Sequence, residues 1–297
     1  MTYTALILLT ASLVGVSCGI VGVFLILRRM AMMADAISHT VLLGIVMAYI
    51  LTHSLSGIHM LIGAAISGML TTYFVQWFHS RGVQQEASIG VVFTTLFALG
   101  VILIATKVGN AHLDVQHALM GEITFVPWNI IHVPLIGEIP LATFMLLCVL
   151  LLVILVIGLF YKEWKLTTFD PALAASIGIP VLSMHYLFMT LVSVTTVAAF
   201  DAVGAIMVVA MLITPAASAY LWTDKLLVML GLSSMFGIIS AIGGYYFALW
   251  IDTSISGSMA FATGGIFFIS FLLSPRHGML SNWLRPGSTD PSSHLGR

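Results

Sequence analysis

The sequence predicts an all-α integral membrane protein, a polytopic bundle of about nine transmembrane helices. Three observations carry this. The 297 residues are 60% hydrophobic and 7% charged, whereas a soluble domain carries about 25% charge. The apolar stretches suffice for about nine spans of about 20 residues each. The cations also alternate between connections: Arg28, Arg29, Arg81, Lys162, Lys165, Lys225, Arg276, Arg285 and Arg297 fall on one side of those spans, and Lys107 alone on the other. By the positive-inside rule the first side is cytoplasmic, so the amino terminus lies outside and the carboxyl terminus inside.

Hydropathy and helix breakers place the spans near 5–27, 33–52, 59–78, 87–106, 140–160, 179–199, 203–221, 226–250 and 258–274. The first has no Lys or Arg before Arg28, so it reads as a span rather than a cleaved signal peptide. Small residues at Gly15 and Gly19, Gly63 and Ser67, Gly243-Gly244 and Gly264-Gly265 read as helix-packing positions. Glu86 opens the fourth span, where a carboxylate suits a helix amino terminus. An outer loop follows with His112, Asp114, His117 and Glu122, whose spacing matches no metal motif and which reads as a solvated loop with a short interfacial helix. His185 falls in the sixth span and Asp201 at the outer turn before the seventh; either could line a pathway, or serve only packing and turn formation. Residues 1–284 thus form the transmembrane domain. Residues 285–297, rich in Pro, Gly and Ser, read as a disordered cytoplasmic tail.

Composition excludes several functions. A net charge of −1 leaves no basic stripe for nucleic acid. Cys18 and Cys148 lie in apolar runs and suggest neither a disulfide framework nor a metal cluster. No phosphate-binding Gly-rich loop ending in Gly-Lys-Ser/Thr occurs, so the chain cannot cradle ATP, and no His-Glu-x-x-His supports a membrane protease.

The sharpest chemistry is Asp35 and His39. Four residues apart on a helix they share a face, and a carboxylate and an imidazole together can hold a divalent cation. That donor pair favours zinc, manganese or ferrous iron over calcium or magnesium. Two ligands need completion by water, by another helix, or by the same pair from a second copy. The competing structural reading has Asp35 capping the second helix near Arg28 and Arg29, with His39 a hydrogen-bonded buried histidine. The inner segment Phe169–Gly178 reads as a complete short helix, with Asp170 as N-cap, Pro171 at the first position and Gly178 as terminator. It is either a docking element for another protein or a helix lying on the membrane interface.

These stretches resemble the permease subunit of ATP-binding-cassette importers for manganese, zinc or iron. The resemblance spans almost the whole chain and is carried by residues 27–39, 169–180 and 203–219. It implies a pathway formed by two copies of the permease or two related permeases, driven by cytoplasmic ATP-binding subunits and supplied by an extracellular metal-binding protein. It makes Asp35 and His39 pathway ligands, and Phe169, Asp170, Pro171, Ala174 and Gly178 part of the helix that couples to the ATPase. Pro215 becomes a kink in a pathway helix, and Glu86 matches an acidic position of a family segment and joins His185 and Asp201 as a possible pathway residue. The metal is cargo: manganese first, zinc or iron next, with no resident cofactor. The chain itself is then a non-catalytic subunit in the cytoplasmic membrane. The alternative is a proton-coupled secondary transporter or channel that works through Asp35, His39 and His185 without an ATPase.

Overall fold

A computed structural model describes residues 3–53, 57–107, 123–128, 130–133 and 137–274. The outer-loop residues His112, Asp114, His117 and Glu122 and the tail at 285–297 lie outside the described residues. The order is α1 (Tyr3–Leu27), α2 (Ala31–Thr52), α3 (Gly57–Ser80), α4 (Gln85–Lys107), a 3-10 turn (Ile123–Trp128), β1 (Ile130–Val133), β2 (Gly137–Pro140), α5 (Leu141–Leu159), α6 (Tyr161–Phe169), α7 (Pro171–Ser176), α8 (Val181–Val203), α9 (Ala205–Trp222), α10 (Leu226–Ile251) and α11 (Ile255–Leu273).

Among the described residues nine helices are long and apolar enough to cross a membrane, and all nine coincide with the predicted spans. The largest discrepancy is at the sixth boundary. Asp201 was expected in the turn between spans, but it lies in the last turn of α8, and Gly204 alone separates α8 from α9. Gly204 breaks the helix because its φ of +80° is a conformation that side chains resist. The two-stranded antiparallel hairpin, with Ile130 opposite Pro140, and the helix α6 are additions to the predicted plan.

Helices α1 and α8 form the centre. α1 packs against α5, α8, α9 and α10, and α8 against α1, α2, α3 and α5. Lipid offers no hydrophobic drive for helix association, so close backbone contact has to supply it. Accordingly, a Cβ on Gly15 would lie 2.7 Å from the Gly237 carbonyl carbon, and one on Gly19 3.0 Å from the Ser233 hydroxyl. Gly63 meets Gly44 of α2 in the same manner, whereas Gly264 and Gly265 face open space. Buried hydroxyls pair between helices: Ser67 donates to the Thr40 carbonyl (2.5 Å), Thr71 donates to the Thr40 hydroxyl (2.8 Å), and the Thr10 and Thr143 hydroxyls meet at 2.6 Å. Large apolar side chains such as Leu155, Phe261, Phe268 and Trp250 are exposed around the perimeter, as the hydrocarbon core requires.

Candidate functional site

Asp35 and His39 occupy one face of an unbroken α2. The His39 Nε2 and Asp35 Oδ1 atoms are 3.6 Å apart, and the side chains are 38% and 41% exposed. That separation is too long for a hydrogen bond. It lies close to the donor-to-donor edge of about 3.4 Å that a tetrahedral ion with bonds of about 2.1 Å requires. The His39 ring is flanked by Phe93 and Phe97 of α4, at ring-centre distances of 5.7 and 5.8 Å. These aromatics fix the imidazole from the α4 side. Their four-residue spacing is visible in the sequence, but their approach to His39 is a tertiary contact that no local pattern reveals.

The capping alternative for Asp35 does not hold. The N-cap of α2 is Met30, no side chain caps that end, and the first turn holds no acidic residue. His39 is part-exposed rather than a buried, hydrogen-bonded histidine. The pair also lies deeper than the predicted boundary implied. With α2 starting at Ala31 and ending at Thr52, His39 is about 4 Å and Asp35 about 10 Å from the helix midpoint at 1.5 Å per residue. Among the described residues no group of three or more His, Cys, Asp or Glu converges anywhere, so one chain supplies two donors at this site.

The other candidate residues do not join it. His185 lines a separate polar cavity of about 200 Å³ with Arg28, Gln76, His79 and Gln85. Asp201 is exposed in the last turn of α8, and Glu86 is exposed in the first turn of α4, where it complements the positive end of the helix. His53 terminates α2 in a left-handed conformation.

The second site is α7. The Leu173 N–H donates to Asp170 Oδ1 at 2.9 Å, and Pro171 opens the helix. At the other end the Ile179 N–H donates to the Ala174 carbonyl (3.0 Å) and the Gly178 N–H to the Ala175 carbonyl (3.1 Å), with Gly178 at φ +87°. This paired closure needs a left-handed residue, which is why glycine stands there. Phe169 at the end of α6, Leu173 within α7 and Ile177 at its C-cap are 55%, 48% and 60% exposed and leave an apolar surface on this segment. Asp170, Pro171 and Gly178 are exposed beside it, while Ala174 is fully buried and seats the helix on the body of the protein.

In the sequence Arg28 reads as a topology marker and as a cation near Asp35, with no partner on α6. In the structure its guanidinium reaches Thr167 and Thr168 of α6 and lies over Phe188 and Trp164. Burial draws it down to about 10, which leaves it charged at neutral pH.

Residues 1–274 match the ABC 3 transport family. The chain is 55% identical to the manganese transport system membrane protein MntD of Bacillus subtilis (strain 168), over 96% of this chain and 97% of that protein. It is 42% identical to the zinc transport system membrane protein TroD of Treponema pallidum (strain Nichols), over 94% of this chain and 76% of that one. Among solved structures, a chain of PsaBC from Streptococcus pneumoniae in complex with Fab superposes with a TM-score of 0.79 at 34% identity, covering 95% of this chain and 96% of that chain. With nine apolar helices among the described residues and these relatives, the protein is a multi-pass component of a bacterial cytoplasmic membrane. It belongs to the ABC 3 transport family.

Proposed function

We propose that this chain is the non-catalytic permease subunit of an importer that carries a divalent transition metal into the cell, manganese first, powered by a separate ATP-binding subunit. The single observation that carries this reading is the Asp35–His39 pair, two metal-competent donors 3.6 Å apart on a part-exposed face of a spanning helix. An ionisable side chain facing lipid at a helix centre costs roughly 2.5–3.5 kcal/mol on insertion scales. A water-lined pathway between two permeases removes that cost, and the same pair from the second permease supplies the missing ligands.

The substrates in the relatives' names, manganese and zinc, support a transition metal as the cargo. Intrinsic affinity at Asp and His donors favours zinc over manganese. Selection of manganese therefore rests on an extracellular binding protein and on metal supply, while weak binding in the pathway favours release. The charge distribution supports an outside amino terminus, with the Arg28 corner and α7 on the cytoplasmic side. There the capped α7 and the exposed Phe169, Leu173 and Ile177 offer an apolar surface on which an ATPase docks.

The test is radiolabelled manganese uptake, with zinc and iron competitors, in cells that carry this chain with and without its ATP-binding partner. Uptake that needs the partner is the expected result. Uptake that persists without it and collapses with the proton gradient would overturn the reading in favour of a secondary transporter.

A further inference from the structure

The connection between α1 and α2 is a hydrogen-bonded corner. The Arg28 N–H donates to the Phe24 carbonyl (3.0 Å), Arg29 to Ile26 (3.0 Å) and Met30 to Leu25 (2.9 Å), with Arg29 left-handed at φ +56°. Met30 then begins α2, five residues before Asp35. The Met33 N–H donates to the Met30 carbonyl (3.0 Å), so Met30 is bonded both to α1 and to the first turn of α2.

From this corner the Arg28 side chain crosses to α6. Its Nε donates to the Thr168 hydroxyl and its Nη2 to the Thr167 hydroxyl, both at 3.1 Å. The Thr167 hydroxyl in turn donates a hydrogen bond to the Trp164 carbonyl at 3.3 Å. The guanidinium carbon is 4.8 Å from the Phe188 ring centre and 5.8 Å from that of Trp164. Phe24, Trp164 and Phe188, all fully buried, pack edge to face at 5.3 to 6.1 Å. One side chain thus joins the ends of α1, α6 and α8, and Thr168 stands two residues before Asp170, the cap of α7.

A planar guanidinium that forks between two acceptors and lies over rings fixes distance and orientation together, which an ammonium does not. The acceptors are hydroxyls rather than carboxylates. Such bonds are weaker than a bidentate ion pair, so the link can break and re-form during a transport cycle.

We propose that Arg28 is a positioning residue that transmits displacement between the docking helix α7 and the helix carrying Asp35 and His39. Motion imposed on α7 travels through Thr167 and Thr168 to the Arg28 corner and into the first turns of α2. This rests on the ATP-powered reading above.

The test measures manganese transported per ATP hydrolysed in proteoliposomes that hold the chain with its ATP-binding partner. Arg28→Lys keeps the charge and loses the fork, whereas the pair Thr167→Val and Thr168→Val keeps Arg28 and removes its two acceptors, together with the Thr167 bond to the Trp164 carbonyl. Each is expected to lower the ratio about fivefold or more. Combining them should lower it no further, because both delete one link. A merely structural role would reduce bound partner and hydrolysis together and leave the ratio unmoved, which would overturn the proposal. If Arg28→Lys fails to reach the membrane, the threonine pair decides by the same criterion. Wild-type transport that needs no ATP overturns the proposed function itself; ATP-driven wild-type transport with unaltered ratios in the variants overturns only the role of Arg28.

Discussion

The two faces of α2 are built from the same short stretch of sequence and do opposite things. On one, Thr40 and Gly44 are buried and meet Ser67, Thr71 and Gly63 of α3 in close contact, with the hydroxyls of Thr40, Ser67 and Thr71 all paired. On the other, Asp35 and His39 are about two-fifths exposed and approach each other without a hydrogen bond. The lesson is that polarity inside a membrane protein has two uses. Satisfied hydroxyls and glycines hold helices together, and unsatisfied ionisable groups are kept where something else must come to them.

The largest effect that would sharpen this contrast falls on the packed face. A Cβ at Gly44 would sit 2.6 Å from the Gly63 carbonyl carbon and 2.8 Å from the Ser67 Cβ, so Gly44→Leu must force α2 and α3 apart. A loss of about 3 kcal/mol or more is expected, seen as a sharply lowered melting temperature in detergent. Wild-type melting would break the claim that this face is close-packed. A smaller change is expected from Thr40→Val, which removes the acceptor of the 2.8 Å bond from Thr71. Unfolding in the same detergent should register about 1 kcal/mol. Smallest of all is the effect of Asp35→Ala on stability, within about 0.5 kcal/mol of wild type, because its carboxylate holds no cap at the start of α2. A loss as large as that of Gly44→Leu would make Asp35 a structural residue and erase the distinction between the faces.

Much of this was legible in the sequence, for reasons that differ by element. The nine spans are visible because each is a long apolar run ended by local breakers, and α7 because Asp170, Pro171 and Gly178 state its caps in adjacent chemistry. The four-residue spacing of Asp35 and His39 pointed to a shared face, and 3.6 Å between donor atoms is what that spacing produces. Other features depend on contacts far apart in the chain. Helix α6, with Lys162, Glu163 and Lys165, reads as a polar loop; what orders it is the burial of Trp164 against Phe24 and Phe188. The hairpin strands are four residues each, too short for their alternation to register. Asp201 was misplaced because a charged residue near a span boundary looks like a turn, when Gly204 is the residue that breaks the helix. Arg28 is silent in sequence beyond its charge, since Thr167 and Thr168 lie about 140 positions away.

The most direct measurement of the central claim is radiolabelled manganese uptake by Asp35→Asn and His39→Ala, at membrane levels matched to wild type and with the ATP-binding partner present. Asn keeps the shape of Asp35 and removes its anionic ligand; Ala removes the imidazole. If the pair binds the metal in transit, uptake falls to background in both variants while insertion in the membrane is retained. Uptake at the wild-type rate in either one would contradict the account and leave that residue a bystander on the exposed face of α2.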